Sequence, residues 1–75
     1  MKYLSTTFKV EAPSHELMQP CRELLADSCG EVGYESFVDT DEGIVGYIQQ
    51  ENYSESLVKE LIAQFPIADV VITYT

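Results

Sequence analysis

Residues 34–50, YESFVDTDEGIVGYIQQ, hold two short runs rich in aromatic and β-branched residues, YESFVDT at 34–40 and IVGYIQQ at 44–50, separated only by Asp41-Glu42-Gly43. A three-residue connection that includes glycine is a hairpin signal, so the two runs read as neighbouring antiparallel strands. What flanks the hairpin decides the fold it belongs to. On the N-terminal side, Leu17, Cys21, Leu24, Leu25 and Ser28 follow the i, i+4, i+7, i+8 stripe of a helix buried on one face, and Gly30 or Gly33 closes it. On the C-terminal side, Ser54 caps a second helix over 55–65, with Leu57, Leu61, Ile62 and Phe65 on one face, Glu55 four residues before Lys59, and Pro66 as a stop.

A further strand lies outside each helix. In residues 2–11, Leu4, Thr6, Phe8 and Val10 alternate with Tyr3, Ser5, Thr7 and Lys9, and ADVVITYT from Ala68 onward is β-branched. Pro20 leaves two starts open for the first helix. Either Ser14 and Glu16 begin a short turn that kinks at Gln19, or the regular helix begins with Pro20 at its first position.

The order β-α-β-β-α-β predicts an α+β, ferredoxin-like sandwich: a four-stranded antiparallel sheet with both helices on one face, built as a single domain over residues 1–75. The expected core is Leu4, Phe8, Val10, Leu17, Leu24, Leu25, Phe37, Ile44, Ile48, Leu57, Leu61, Ile62, Val70 and Ile72.

Composition bounds the function. Against 13 Asp+Glu stand 4 Lys+Arg, at positions 2, 9, 22 and 59, for a formal charge of -9. Four dispersed cations cannot neutralise a phosphate backbone, so direct nucleic-acid binding is excluded. With 45% hydrophobic residues the chain nonetheless has the material of a folded domain. Cys21 and Cys29 form no CxxC and have no His beside them, so they read as reduced, buried thiols. The N-terminus turns polar at once and no apolar run approaches the ~20 residues of a membrane span, which predicts a soluble cytoplasmic protein without a membrane partner.

No convergent catalytic set is legible. His15, the sole imidazole, reads as exposed beside Glu16, and Ser14 and Ser54 stand where helix caps belong. Asp39, Asp41 and Glu42 lack the spacing of a calcium loop, and Gly30, Gly33, Gly43 and Gly46 form neither GxGxxG nor a P-loop. The expectation is therefore no catalytic residue, metal or cofactor in this chain. The sheet face left open by the helices is the candidate surface: strand parity puts Tyr3, Thr7, Val45, Tyr47, Gln49, Val71 and Thr73 there. An RNA-stacking role would need the basic and aromatic residues of RNP motifs, so a basic protein fits this acidic chain better.

The stretches MKYLSTTFKVEAPSHEL, ELLADSCGEVGYESFVDTDEGIVGYIQ and FPIADVVITY together resemble the N-terminal domain of bacterial ribosomal protein L11 methyltransferases. The most telling part is Gly33-Tyr34-Glu35-Ser36-Phe37, followed by the acidic turn and the strand from Gly43 to Tyr47. The resemblance implies a substrate-recognition domain for a basic ribosomal protein of the large subunit. It also implies a separate C-terminal, Rossmann-like domain of the same polypeptide that uses S-adenosylmethionine to methylate lysine side chains and an N-terminal amine. The glycine-rich cofactor loop and the Trp-containing segment that follows this domain in the family are missing here, and Pro20 departs from the family pattern. Two other classes share the topology. One is a free-standing regulatory or small-ligand-binding module acting as a dimer; the other, an acylphosphatase-type enzyme, needs an Arg-bearing phosphate loop, whereas Arg22 lies in a predicted helix.

Overall fold

The alternation in the first strand is realised residue by residue: Thr6, Phe8 and Val10 are buried while Ser5, Thr7 and Lys9 are exposed. In the computed structural model, which describes residues 2–75, the elements are β1 (Tyr3–Glu11), a 3-10 turn (His15–Leu17), α1 (Met18–Glu31), β2 (Ser36–Asp39), β3 (Gly43–Gln49), a second 3-10 turn (Gln50–Asn52), α2 (Glu55–Ala63) and β4 (Val71–Tyr74). All neighbouring strands are antiparallel and their order is β2-β3-β1-β4. This is the α+β, ferredoxin-like arrangement expected from the sequence: β1 pairs with β3 of the β2–β3 hairpin, and β4 adds to the other side of β1. Among the described residues, no helix is long and apolar enough to cross a membrane.

One core joins the layers. Phe8, Val10, Ile44, Ile48 and Ile72 come from the sheet, Cys21, Leu25 and Cys29 from α1, Val58 from α2, and Tyr34 from the link into β2. Both cysteines are free and buried, and burial pushes their thiols up, Cys29 to about 12. The buried rows of the helices differ from the expected ones by one step. On α1 the row is Cys21, Leu25, Cys29, an i, i+4, i+8 line, which turns Leu24 outward to 37% exposure. On α2, Val58 replaces Leu57 at the centre of the face, with Leu61 and Ile62 half-buried at i+3 and i+4, Phe65 packs half-buried just beyond the helix end, and Leu57 is 41% exposed. Leu4, Leu17, Phe37 and Val70 pack half-buried against the core.

Of the two expected starts of α1, the short turn begun by Ser14 and Glu16 forms, but the regular helix follows from Met18, not from Pro20. Ser14 caps the 3-10 turn, its hydroxyl accepting from the Glu16 N–H at 3.2 Å, and the α-helix then begins at Met18. Pro20 is the third helical residue, where its absent N–H would have had no intrahelical acceptor in any case. At the other end Gly33, not Gly30, closes the helix. Gly33 adopts φ 110°, its N–H donates to Gly30 O at 3.3 Å, and the Tyr34 N–H donates to Cys29 O at 3.1 Å. These two bonds form a Schellman closure, and it turns the Tyr34 ring into the core instead of starting a strand there. Consequently β2 begins at Ser36, later than the expected Tyr34.

The hairpin also differs in detail. Thr40 and Gly43 exchange backbone bonds, so the connection is the two residues Asp41-Glu42, and Gly43 belongs to β3. Gly43 is required by proximity: a Cβ there would lie 2.1 Å from Phe8 O on β1. Ser54 stands at the N-cap position of α2 but makes no capping bond, its hydroxyl meeting that of Ser56 at 3.0 Å. α2 ends at Ala63, two residues before the expected Phe65. β4 starts at Val71, not Ala68, because residues 66–69 form turns in which Asp69 takes φ 63°.

Candidate partner-binding sheet face

The antiparallel register sets Tyr3 opposite Gln49, Thr7 opposite Val45 and Ser5 opposite Tyr47, while Lys9 faces Thr73 and Glu11 faces Val71 on the other flank of β1. All seven residues singled out from the sequence, Tyr3, Thr7, Val45, Tyr47, Gln49, Val71 and Thr73, therefore fall on the sheet face away from the helices. Cross-strand neighbours on one face are about 4.5–5.5 Å apart at Cβ, so Thr7 neighbours Val45 and Tyr3 neighbours Gln49, and Thr73 and Val71 continue the face on the other side of β1, opposite Lys9 and Glu11. Tyr3 and Val71 are about half exposed, and Val45, Tyr47 and Gln49 are half-buried.

Parity extends the face to residues that sequence reading passed over. Ser36 pairs with Tyr47 and Val38 with Val45, so β2 adds a hydroxyl and an apolar side chain that is 54% exposed. The signal for them was present in the alternation around Phe37, but only with the strand boundary placed at Ser36. Glu35 is the second addition. The Tyr3 hydroxyl donates to Glu35 Oε1 at 3.0 Å and the Gln49 amide donates to Glu35 Oε2 at 2.7 Å, so one carboxylate ties two predicted residues together. That bond to Glu35 is the main reason the Tyr3 phenol is pushed above its ordinary pKa.

At the opposite end of the face is a recess of roughly 470 Å³ lined by Thr7, Thr40, Thr73 and Thr75 together with Lys9, Asp41 and Glu42. The Lys9 ammonium is 3.3 Å from Glu42 and 3.8 Å from Glu11, in pairs exposed enough to contribute little to stability. These pairs leave the recess acidic. Behind it, Arg22 reaches out of α1 to hold the hairpin: Nε donates to Gly43 O at 3.1 Å and Nη2 to Thr40 O. The face thus combines an aromatic and aliphatic middle, hydroxyls at one end and carboxylates at both. This is suited to contact with a polypeptide carrying positive charge.

Support for the face comes from below. The Thr6 and Tyr34 hydroxyls are hydrogen-bonded at 2.8 Å on the core side of β1, and Tyr34 packs edge-on against Phe8 with ring centroids 6.0 Å apart. Gly46 leaves room for that ring, since a Cβ there would lie 2.8 Å from Tyr34 Cδ2. His15 sits exposed in the 3-10 turn before α1, outside this face.

No family model and no solved structure matches the chain. Curated relatives do: proteins named ribosomal protein L11 methyltransferase from Phocaeicola vulgatus and Bacteroides fragilis are each 40% identical over 75 residues, and one from Bacteroides thetaiotaomicron is 40% identical over 79. Each match takes in 100% of this chain and 25% of the relative. The chain spans about a quarter of the length of the curated relatives it matches. Along its entire length, then, the chain is related to one quarter of these ribosomal protein L11 methyltransferases, the family its sequence resembles.

Proposed function

We propose that this chain is the N-terminal, substrate-recognition domain of a ribosomal protein L11 methyltransferase. It binds the basic ribosomal protein on its open sheet face. Methyl transfer to lysine side chains and an N-terminal amine falls to a Rossmann-like domain elsewhere in a longer polypeptide, which supplies S-adenosylmethionine. This reading entails a cytoplasmic enzyme and gives the present 75 residues no catalytic group of their own. The observation that carries it is the gathering of Tyr3, Thr7, Val45, Tyr47, Gln49, Val71 and Thr73 on one uncovered face of a domain with charge -9, in a chain 40% identical to L11 methyltransferases. Aromatic and apolar contacts in the middle of such a face supply affinity, and the acidic surround speeds encounter with a basic protein.

Titration of the ¹⁵N-labelled domain with ribosomal protein L11 at low salt tests the reading. Shift changes should centre on Ser5, Val45 and Tyr47, and Tyr47→Ala should weaken binding about tenfold, the size of an ordinary interface anchor. Shifts confined to α1 and α2, or affinity unchanged by Tyr47→Ala, would remove the sheet face from the reading.

A further inference from the structure

β1 runs from Tyr3 to Glu11, yet β4 accompanies only part of it. The register pairs Glu11 with Val71 through Phe8 with Tyr74, and Thr7 and Thr75 then exchange both backbone bonds at 2.9 and 3.0 Å. On its other side β1 is paired with β3 as far as Tyr3–Gln49, and the Gln50 N–H donates to Lys2 O at 2.8 Å just beyond. In an antiparallel sheet a central strand directs the backbone groups of alternate residues to opposite neighbours. Val10 donates to Glu42 O on the β3 side and Thr7 bonds Thr75 on the β4 side, so even residues face β3 and odd residues face β4. By that alternation the N–H and C=O of Ser5 and Tyr3 point to the β4 side, past the last rung at Thr75. The result is a short open edge beside a strand already in register and heading along it.

We propose that this edge is filled by the residues that directly follow Thr75 in the longer polypeptide. They extend β4 by about four residues, so that the second and fourth residues after Thr75 bond Ser5 and Tyr3. The relatives are about four times the length of this chain, which supplies the segment. A strand continuing from Thr75 meets Ser5 with almost no loop to close, whereas a separate strand loses translational and rotational freedom on docking. A second copy would also bring another -9 charge to the same edge. Four residues advance the chain roughly 13 Å at strand rise, so it leaves the sheet at the end that carries Tyr3, Glu35 and Gln49. The rest of the polypeptide is thereby tethered beside one end of the open face. The inference rests on the reading of a longer parent, but not on the partner that face binds.

Amide hydrogen exchange in the natural full-length polypeptide tests it, with no ribosomal protein present. The Ser5 amide should be slowed to the same order as Thr7, and proline placed two residues after Thr75 should speed Ser5 at least about tenfold while Thr7 and Val10 stay protected. A Ser5 amide exchanging at solvent rate beside a protected Thr7 overturns the proposal. So does a Ser5 that remains slow in the proline variant, which gives the edge to another strand, and so does a reading frame that stops at Thr75. Because L11 is absent from the measurement, failure here and failure of the sheet-face titration are separate outcomes.

Discussion

Gly30 and Gly33 stand three residues apart and do opposite things. Gly30 lies inside α1, and a methyl group added there would meet nothing within 4 Å, so the glycine contributes only backbone freedom to the unfolded chain. Gly30→Ala should stabilise the domain by about 1 kcal/mol. Gly33 holds φ 110°, and Gly33→Ala should destabilise it by about 1–3 kcal/mol, with Ile48 Cδ1 also only 3.4 Å from the new methyl group. Urea unfolding of the two variants checks the contrast, and equal signs would disprove the Schellman assignment. Cys29 gives a pH dependence. Its thiol is raised from the ordinary value of 9.0 to about 12, so the unfolded chain releases this proton first. Stability is therefore intact below pH 9 and falls between pH 9 and 12, at up to about 1.4 kcal/mol per pH unit for this one group. Cys21, Tyr34 and Tyr74 are raised by burial and act in the same direction. The fall in urea midpoint from about pH 8 to about pH 10.5 should be shallower in Cys29→Ala, and identical slopes would remove Cys29 as its source. The buried Thr6–Tyr34 pair shows why sequence reading stops short at this scale. Alternation marks Thr6 as inward-facing, but its partner is 28 residues away and turns inward only because Gly33 permits the chain reversal.

At the scale of elements the least obvious support is Arg22. Sequence placed it in a helix without a role; the structure uses it to join α1 to the β2–β3 hairpin through the carbonyls of Thr40 and Gly43. Its positive charge also sits behind a turn flanked by Asp39, Asp41 and Glu42. Arg22→Ala should cost about 1–3 kcal/mol, the range for hydrogen bonds to a charged donor, and should speed exchange of the Gly43 amide, which bonds both Thr40 Oγ1 and Thr40 O. Arg22→Lys should recover little, since a single ammonium cannot span two carbonyls as a guanidinium fork does. Full rescue by lysine would reduce the role to charge alone. The six main elements were legible because each carries its own period, two in the strands and about 3.6 in the helices. Their rotation was not: Leu24 against Leu25, or Leu57 against Val58, differ by one helical step, and only packing against Ile44, Ile48 and the other helix decides which is buried. The open face was legible for the same reason as the strands. Glu35 was not, because its bonds to Tyr3 and Gln49 depend on a register set by three different strands.

At the scale of the whole molecule the charge of -9 should act on folding and on the proposed association with a basic protein with opposite signs. The molecule measures 39 × 22 × 18 Å, so at about 0.01 M salt, where the screening length is about 30 Å, nearly every carboxylate feels every other. Two like charges about 20 Å apart repel by about 0.2 kcal/mol in water, and a surplus of nine creates tens of such pairs. The ion pairs formed by Lys9 and Lys59 are exposed and offset little of this. On α1, Glu23, Asp27 and Glu31 even stand at i, i+4, i+8 on the exposed side, and Glu31 lies at the negative end of the helix dipole. Raising NaCl from about 0.01 to about 0.5 M should therefore stabilise the fold, by on the order of 1 kcal/mol, as repulsion is screened. The same salt should weaken binding to ribosomal protein L11 by about tenfold or more if complementary charge guides that encounter. Urea midpoints and affinities measured in one buffer series test both arms. A midpoint that falls with salt would mean that the few cations outweigh the surplus acid, and an affinity indifferent to salt would leave the sheet face to bind through its aromatic and apolar middle alone.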